Sequence, residues 1–240
     1  MNTFVDAYTF SETIEEMKKI IDTRTITQHV VVNANKINLM YKNERLKSII
    51  NQCPLINADG QSIIWSNRIL KNKTKIHRVT GIDLLEKLVE VAEKEEYRIY
   101  YLGAKENTLK QVIAKHKSKY KNLQIAGYHH GYFDKQHCEE IVSDIRNSNA
   151  DILFVAFPSP EKEFWLDENK FELNVPLQIG VGGSFDVLSG EIKRAPLFVQ
   201  KMGMEWFYRW IHEPKRLFKR YFVGNILFLG HLIKEYLKLS

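Results

Sequence analysis

Apolar and polar positions along the chain switch repeatedly between a two-residue and a three-to-four-residue period. Residues 11–22 (SETIEEMKKIID) predict a short helix, with Ser11 as N-cap and Glu12, Glu15 and Glu16 toward the positive end of its dipole. HVVVNAN (29–35) is β-branched and apolar before it turns polar, which predicts a buried strand. Helical patterning over 36–52, a short strand at 54–58 and a helix over 61–71 follow. The clearest helix is 78–96, where Thr80 and Asp83 fit a cap and its N3 acid. Leu85, Leu88, Val89 and Ala92 form its apolar stripe. Strands at 97–103, 123–127, 151–157 and 177–183 then alternate with helices at 105–119, 135–148 and 160–170.

Such alternation implies right-handed crossovers and a parallel sheet covered on both faces. The predicted class is α/β: a Rossmann-like, mostly parallel sheet with helices on both faces, plus a C-terminal helical appendage. Ligands of such sheets bind beyond the carboxyl ends of the strands. Asn33, Asn35, Asp59, Gly103, Pro158 and the pair Gly182-Gly183 fall at those ends. After about residue 195 the alternation stops, and 196–239 is helical in pattern with a break at Glu213-Pro214. The expected division is an α/β domain at 1–195 and an appendage at 196–240.

Composition adds little: 44% apolar and 27% charged residues over 240 positions suit a soluble globular chain with a substantial core. Two cysteines, Cys53 and Cys138, cannot make a disulfide framework and point to a reducing compartment. The acidic first residues lack an apolar core, so no signal peptide is predicted. No apolar run is long enough to predict a spanning helix. Charge adds more. Residues 191–240 hold ten basic and four acidic residues, so all of the net +6 lies in the last fifth of the chain. An anionic partner for the tail follows: a phosphate ligand, a membrane surface or nucleic acid. Phe222, Ile226, Leu229, Ile233 and Tyr236 share one helical face, with Val223, Leu227 and Leu237 beside it and Lys219, Arg220, Lys234 and Lys238 flanking it. A basic, broadly apolar helix suits a membrane surface or a partner and argues against nucleic acid. The alternative is a helix packed on the domain's own core.

Candidate chemistry narrows by exclusion. Gly180, Gly182 and Gly183 begin a dinucleotide fingerprint whose third glycine would fall on Phe185, and no Walker lysine follows a glycine-rich turn. His129, His130, His137 and Cys138 match no zinc spacing, and no Asp-x-Asp pair exists to hold a cation on a diphosphate. No metal or cofactor is expected, and arginine forks of the tail would serve phosphate instead. In PLINADGQSIIWS (54–66), Asp59 stands where a strand ends and a helix begins. It is either a helix cap or a carboxylate on display.

Several ordered blocks, taken together, resemble the WecG/TagA/CpsF glycosyltransferases, glycosyltransferase family 26. They are NADGQSIIW, HRVTGIDLL, YYLGAKENTL, HHGYFD, GVGGSFDVLSGEIKRAP and GMEWFYRWIHEPKRLFKRY, and they run from about residue 28 to about 221. The resemblance implies metal-independent, inverting transfer of an N-acetylhexosamine-type sugar from a UDP donor. The implied acceptor is a sugar on undecaprenyl diphosphate, on the cytoplasmic face of the membrane. It implies a cytoplasmic protein held peripherally on an anionic membrane surface, for cell-surface glycopolymer synthesis, and leaves a homo-oligomer open. Asp59 falls on the family's proposed general base. Tyr132 and Asp186 would hold uridine, Gly103 would lie with the nucleotide, and Gly182-Gly183 would permit close approach. Arg209, Arg216 and Arg220 would face the diphosphate. Arg78 and Thr80 would lie with the acceptor or sugar. The chain reads Asn33-Ala34-Asn35 where the family often has Thr-x-Asn, and Lys162 where it often has Gln. Both changes fall in the expected sugar or nucleotide contacts, so the donor sugar is either N-acetylmannosamine-like or another UDP-linked hexose or hexosamine. The alternatives are an enzyme that modifies a UDP-sugar without transfer, such as an epimerase, and a non-catalytic membrane scaffold.

Overall fold

The computed structural model describes residues 3–239, apart from the side chains of Lys201, Arg216, Lys219, Arg220 and Leu239. Among these residues the strands are β1 (Thr27–Val32), β2 (Leu55–Ala58), β3 (Arg98–Gly103), β4 (Gln124–His129), β5 (Ile152–Ala156) and β6 (Leu177–Gly180). They form one all-parallel sheet in the order β2-β1-β6-β5-β3-β4, as the alternation predicts.

Side-chain alternation along each strand divides the core in two. Val31, Leu55, Tyr101, Phe154 and Ile179 point to one face, where α1 (Phe10–Asp22), α5 (Gly81–Lys94), α6 (Glu106–Lys119) and α9 (Ser184–Ser189) cover them. Val30, Val32, Ile56, Leu102 and Val155 point to the other. There they meet α2 (Ala34–Lys42), α3 (Glu44–Gln52), α4 (Gln61–Ile69), α7 (Glu139–Asn147) and α8 (Glu161–Leu173). Strand β6 leads into α9 on the first face, while its neighbours β1 and β5 lead into α2 and α8 on the second. Chains that part this way leave a crevice over the carboxyl ends of β1, β6 and β5.

Several boundaries differ from the periodicity, each for a local reason. Thr9, not Ser11, caps α1: its Oγ1 accepts from the Glu12 N–H at 3.3 Å, and Glu12 accepts from the Thr9 N–H at 2.8 Å. The helix expected over 36–52 is broken at Asn43, which ends α2 and caps α3 through the Leu46 N–H at 2.9 Å. The strand expected to reach residue 35 stops at Val32, because Asn33 caps α2 by accepting from the Lys36 N–H at 3.1 Å. Thr80 and Asp83 cap α5 as expected.

Beyond residue 195 come α10 (Leu197–Lys201), α11 (Glu205–His212), α12 (Pro214–Phe218), a π-helical turn at Lys219–Val223 and α13 (Gly224–Leu239). Helix α13 has two apolar faces. Phe228 and Leu232 are buried, and Phe228 joins the cluster of Ile37 and Met40 from α2. Asn38 donates to the Gly224 carbonyl at 2.7 Å, and Tyr41 stacks on His231 at 3.7 Å. Phe222, Ile226, Leu229 and Ile233 remain more than half exposed. The helix therefore packs on the core through residues outside the stripe read from the sequence and leaves that stripe in solvent.

Below the crevice lies a buried ion cluster. Glu163 accepts from Lys36 at 2.7 Å and pairs with Lys162 at 2.8 Å, and Ser159 bonds both Glu163 and Lys162. Burial opposes ionisation of Glu163, but the two ammonium groups outweigh it and hold the carboxyl at about 2. Removing the carboxylate would leave two lysines buried side by side. Glu163→Gln is therefore expected to lower stability by about 3–5 kcal/mol, read from urea denaturation at pH 7. A loss under about 1 kcal/mol would mean that solvent reaches the lysines.

Candidate active site

The crevice opens into a cleft of about 1210 Å³. Strand ends supply one side of it: Asn33 and Asn35 after β1, Asp59 after β2, and Gly182, Gly183 and Asp186 after β6. Arg78, Thr80 and Lys162 line it as well, and α11 adds Arg209 from above. Tyr132, 69% exposed, stands between this cleft and a smaller cavity of about 610 Å³. That cavity is bounded by Phe133, Lys135, Phe157 and Pro158, with Lys135 over the Phe133 and Phe157 rings at 5.0 and 4.8 Å.

Three expected residues are not placed in the cleft. Gly103 does not line the cleft, although Ala104 does. Its φ is +116°, and a Cβ there would lie 2.9 Å from the Ala156 backbone, so glycine is required for β3 to pass β5. The side chains of Arg216 and Arg220 lie outside the described residues. Of the cysteine–histidine cluster, His137 pairs with Asp134 at 2.9 Å, and the Cys138 sulfur takes the Trp165 indole N–H at 3.3 Å.

Asp59 is held by its backbone. Its N–H donates to the Val32 carbonyl at 2.9 Å, and Ala58 forms a β-bridge to Arg78, with the Val79 N–H on the Ala58 carbonyl at 2.7 Å. The next helix, α4, is capped by Gly60 with no side-chain bond. The cap reading of Asp59 is thus excluded, and its carboxylate makes no hydrogen bond among the described residues. Burial raises its pKa to about 6; Arg78 pulls the value down, Glu205 pushes it up, and Arg209 and Lys36 pull it down again.

Glu205 is the residue that pattern reading missed. Its carboxylate takes Arg78 at 3.1 Å and lies 3.8 Å from Arg209 and 4.0 Å from Arg194. Arg78 also donates to the Gln200 carbonyl at 3.1 Å, and Arg194 pairs with Asp83 and Glu86 of α5. One of four acids among the ten basic residues of 191–240, Glu205 gives no local signal of this. Its partner Arg78 lies 127 positions away.

The turn after β6 also has a steric basis. A Cβ on Gly180 would come within 2.7 Å of the Lys162 stem, so the bare strand makes room for that lysine. Gly182, at φ +53°, then turns the chain beside the cleft.

The Asp59 shift carries a sign for stability. A carboxyl whose pKa is higher in the folded than in the unfolded chain is destabilised as an ion. The penalty is absent below about pH 4, grows toward pH 6 and is constant above it. Asp59→Asn is expected to raise stability at pH 7.5 by about 1–3 kcal/mol, and the gain should vanish near pH 4. Thermal melts of both proteins across that range check it. A gain independent of pH would show that the ionised carboxylate is not the source.

The sequence profile of the glycosyl transferase WecG/TagA/CpsF family matches residues 1–240. One relative, the N-acetylglucosaminyldiphosphoundecaprenol N-acetyl-beta-D-mannosaminyltransferase of Bacillus subtilis (strain 168), is 35% identical over 168 residues. That alignment takes in 70% of this chain and spans 64% of the relative's length. A profile match from end to end, on a parallel sheet whose strand ends carry the family's blocks into one cleft, means that this chain belongs to the WecG/TagA/CpsF family of glycosyl transferases.

Proposed function

We propose that the protein transfers a hexosamine-type sugar, N-acetylmannosamine-like or another UDP-hexose, from UDP to a sugar linked to polyprenyl diphosphate, with inversion and without a metal. The observation that carries this reading is Asp59: a carboxylate at a strand end, without a hydrogen bond among the described residues, at a pKa of about 6, in a cleft shared with Arg78 and Arg209. At neutral pH such a group is mostly ionised and still basic enough to accept a proton in a transition state.

In the proposed step Asp59 takes the proton of the acceptor hydroxyl as that oxygen attacks the anomeric carbon. The bond from that carbon to the UDP oxygen breaks on the opposite face, and the electron pair leaves with the diphosphate. Arg209, joined by Arg216 and Arg220 of the tail, would stabilise that charge. Tyr132 and Asp186 would hold the uridine, with Gly182 and Gly183 giving the phosphates access to backbone N–H groups. Asn33, Asn35, Thr80 and Lys162 would contact the sugars. Among the described residues no three His, Cys, Asp or Glu side chains gather to hold a metal ion, and cationic side chains line the cleft in that place.

The test is a screen of UDP-sugars against a short-chain lipid-diphosphate sugar acceptor, following UDP release and product mass. Asp59→Asn should retain UDP binding and lose about 10²–10⁴-fold in turnover. Activity should survive excess EDTA. Near-wild-type turnover of Asp59→Asn, or loss on chelation restored by a divalent ion, would refute the mechanism.

The same reading puts the protein peripherally on the inner face of the cell membrane. No helix among the described residues is long and apolar enough to cross a bilayer. The exposed stripe of α13, with Lys234 and Lys238 also in solvent, supports docking on an anionic surface. Replacing Ile226 and Ile233 together with serine should weaken binding to anionic liposomes by about tenfold or more and leave the melting temperature nearly unchanged, since both are over half exposed. Undiminished co-sedimentation would remove the stripe from the docking surface.

A further inference from the structure

The cleft carries two chemically different kinds of wall. Asp59, Arg78 and Arg209 supply charge. Other lining residues supply hydrocarbon. Helix α4 presents Trp65 and Ile69, four residues apart and hence on one face, 48% and 46% exposed. Helix α13 faces the same space with Leu229, 54% exposed, over a floor of buried Phe228 and Leu232. Trp206 and Arg209 lie three apart on α11 and both line the cleft, so apolar and charged surface adjoin there.

Exposed apolar side chains inside a cleft that also holds Asp59 and arginines suit an amphipathic ligand. Two features select among occupants. Charged and hydrocarbon walls share one cleft, as the sugar-diphosphate head and the lipid share one molecule in the proposed acceptor. Leu229 also belongs to two surfaces: it lines the cleft, and it lies on the exposed stripe with Ile226 and Ile233. The groove is thus continuous with the face proposed to rest on the bilayer, and a chain could pass from one to the other without crossing water.

We propose that the groove between α4 and α13 is a subsite for the first isoprene units of the acceptor's lipid chain, drawn out of the membrane to set the diphosphate against the arginines. This inference rests on the acceptor class given above. It adds that the enzyme reads the lipid itself, as well as the sugar and diphosphate.

The experiment uses the full chain without bilayers. Two acceptors share one sugar-diphosphate head; one carries a short alkyl chain and the other three isoprene units, both below their micelle concentrations. The isoprenoid acceptor should show a KM at least about tenfold lower at similar kcat, as expected when remote apolar contacts add uniform binding. Trp65→Ala and Leu229→Ser, both at exposed positions, should raise that KM far more than the KM of the short-chain acceptor. A calorimetric titration with farnesyl diphosphate and with inorganic diphosphate supplies a readout independent of turnover: the former should bind at least about tenfold tighter, and the two substitutions should remove the difference. Equal KM values for the two acceptors, or equal binding of the two diphosphates, would overturn the groove. If neither acceptor is turned over, the transferase reading falls, and the titration still decides whether the groove takes an isoprenoid chain.

Discussion

The carboxylate of Glu205 is where the sheet and the appendage are joined electrically. It is only 15% exposed and has three guanidinium groups within 4.0 Å: Arg78 from the edge of β2, Arg194 from the segment leading into α10, and Arg209 one turn further along its own helix. Three cations this close would repel one another without an anion between them. With it they form a brace that holds α10 and α11 over the end of β2. Such a brace follows the asymmetry of paired charges: the assembled cluster gains little net stability, while loss of its central acid would strip Arg78 and Arg209 of the ion pair it gives them, Arg194 keeping Asp83 and Glu86. The roof of the cleft, and so the placing of Arg209 near Asp59, depends on it.

The brace also bears on Asp59. Burial pushes this carboxyl upward, toward its neutral form, and Arg78 pulls it back. Glu205 shares the arginines and offsets part of their pull, which leaves the group near 6. A proton acceptor in this range is obtained from opposing terms on one side chain, so the position of the appendage and the basicity of Asp59 are coupled.

Much of the fold was legible because its cause is local. The period of apolar residues decides helix against strand, and the run of strand then helix decides a parallel sheet. Placing Asp59 and Gly182 at strand ends follows from topology alone. What was not legible has non-local causes. Asn43 breaks α2 from α3 through a cap that the stripe over 36–52 conceals. Asn33 looked like the end of a strand and proved to be a cap. The pairing of Lys36 with Glu163 spans 127 positions, as does that of Arg78 with Glu205, and no local window contains either. Gly103 was singled out for a ligand because it ends a strand, whereas its lack of a side chain serves the contact with β5.

Helix α13 shows the limit of periodicity most directly. Its apolar residues cover more than one face, so spacing cannot say which face turns inward. The answer comes from α2, where Asn38 fixes the helix by the Gly224 carbonyl and Tyr41 stacks on His231. These polar and aromatic contacts set the rotation of α13 about its axis. With that rotation fixed, Phe228 and Leu232 must enter the core, and Ile226, Leu229 and Ile233 must remain outside. The exposed stripe is therefore imposed by the helix's own docking and does not result from a shortage of core to cover it. Its hydrocarbon stays in water at a free-energy cost that packing against the domain does not relieve. A covering surface outside the domain would relieve it, and Leu229, which also lines the cleft, would put that surface beside it.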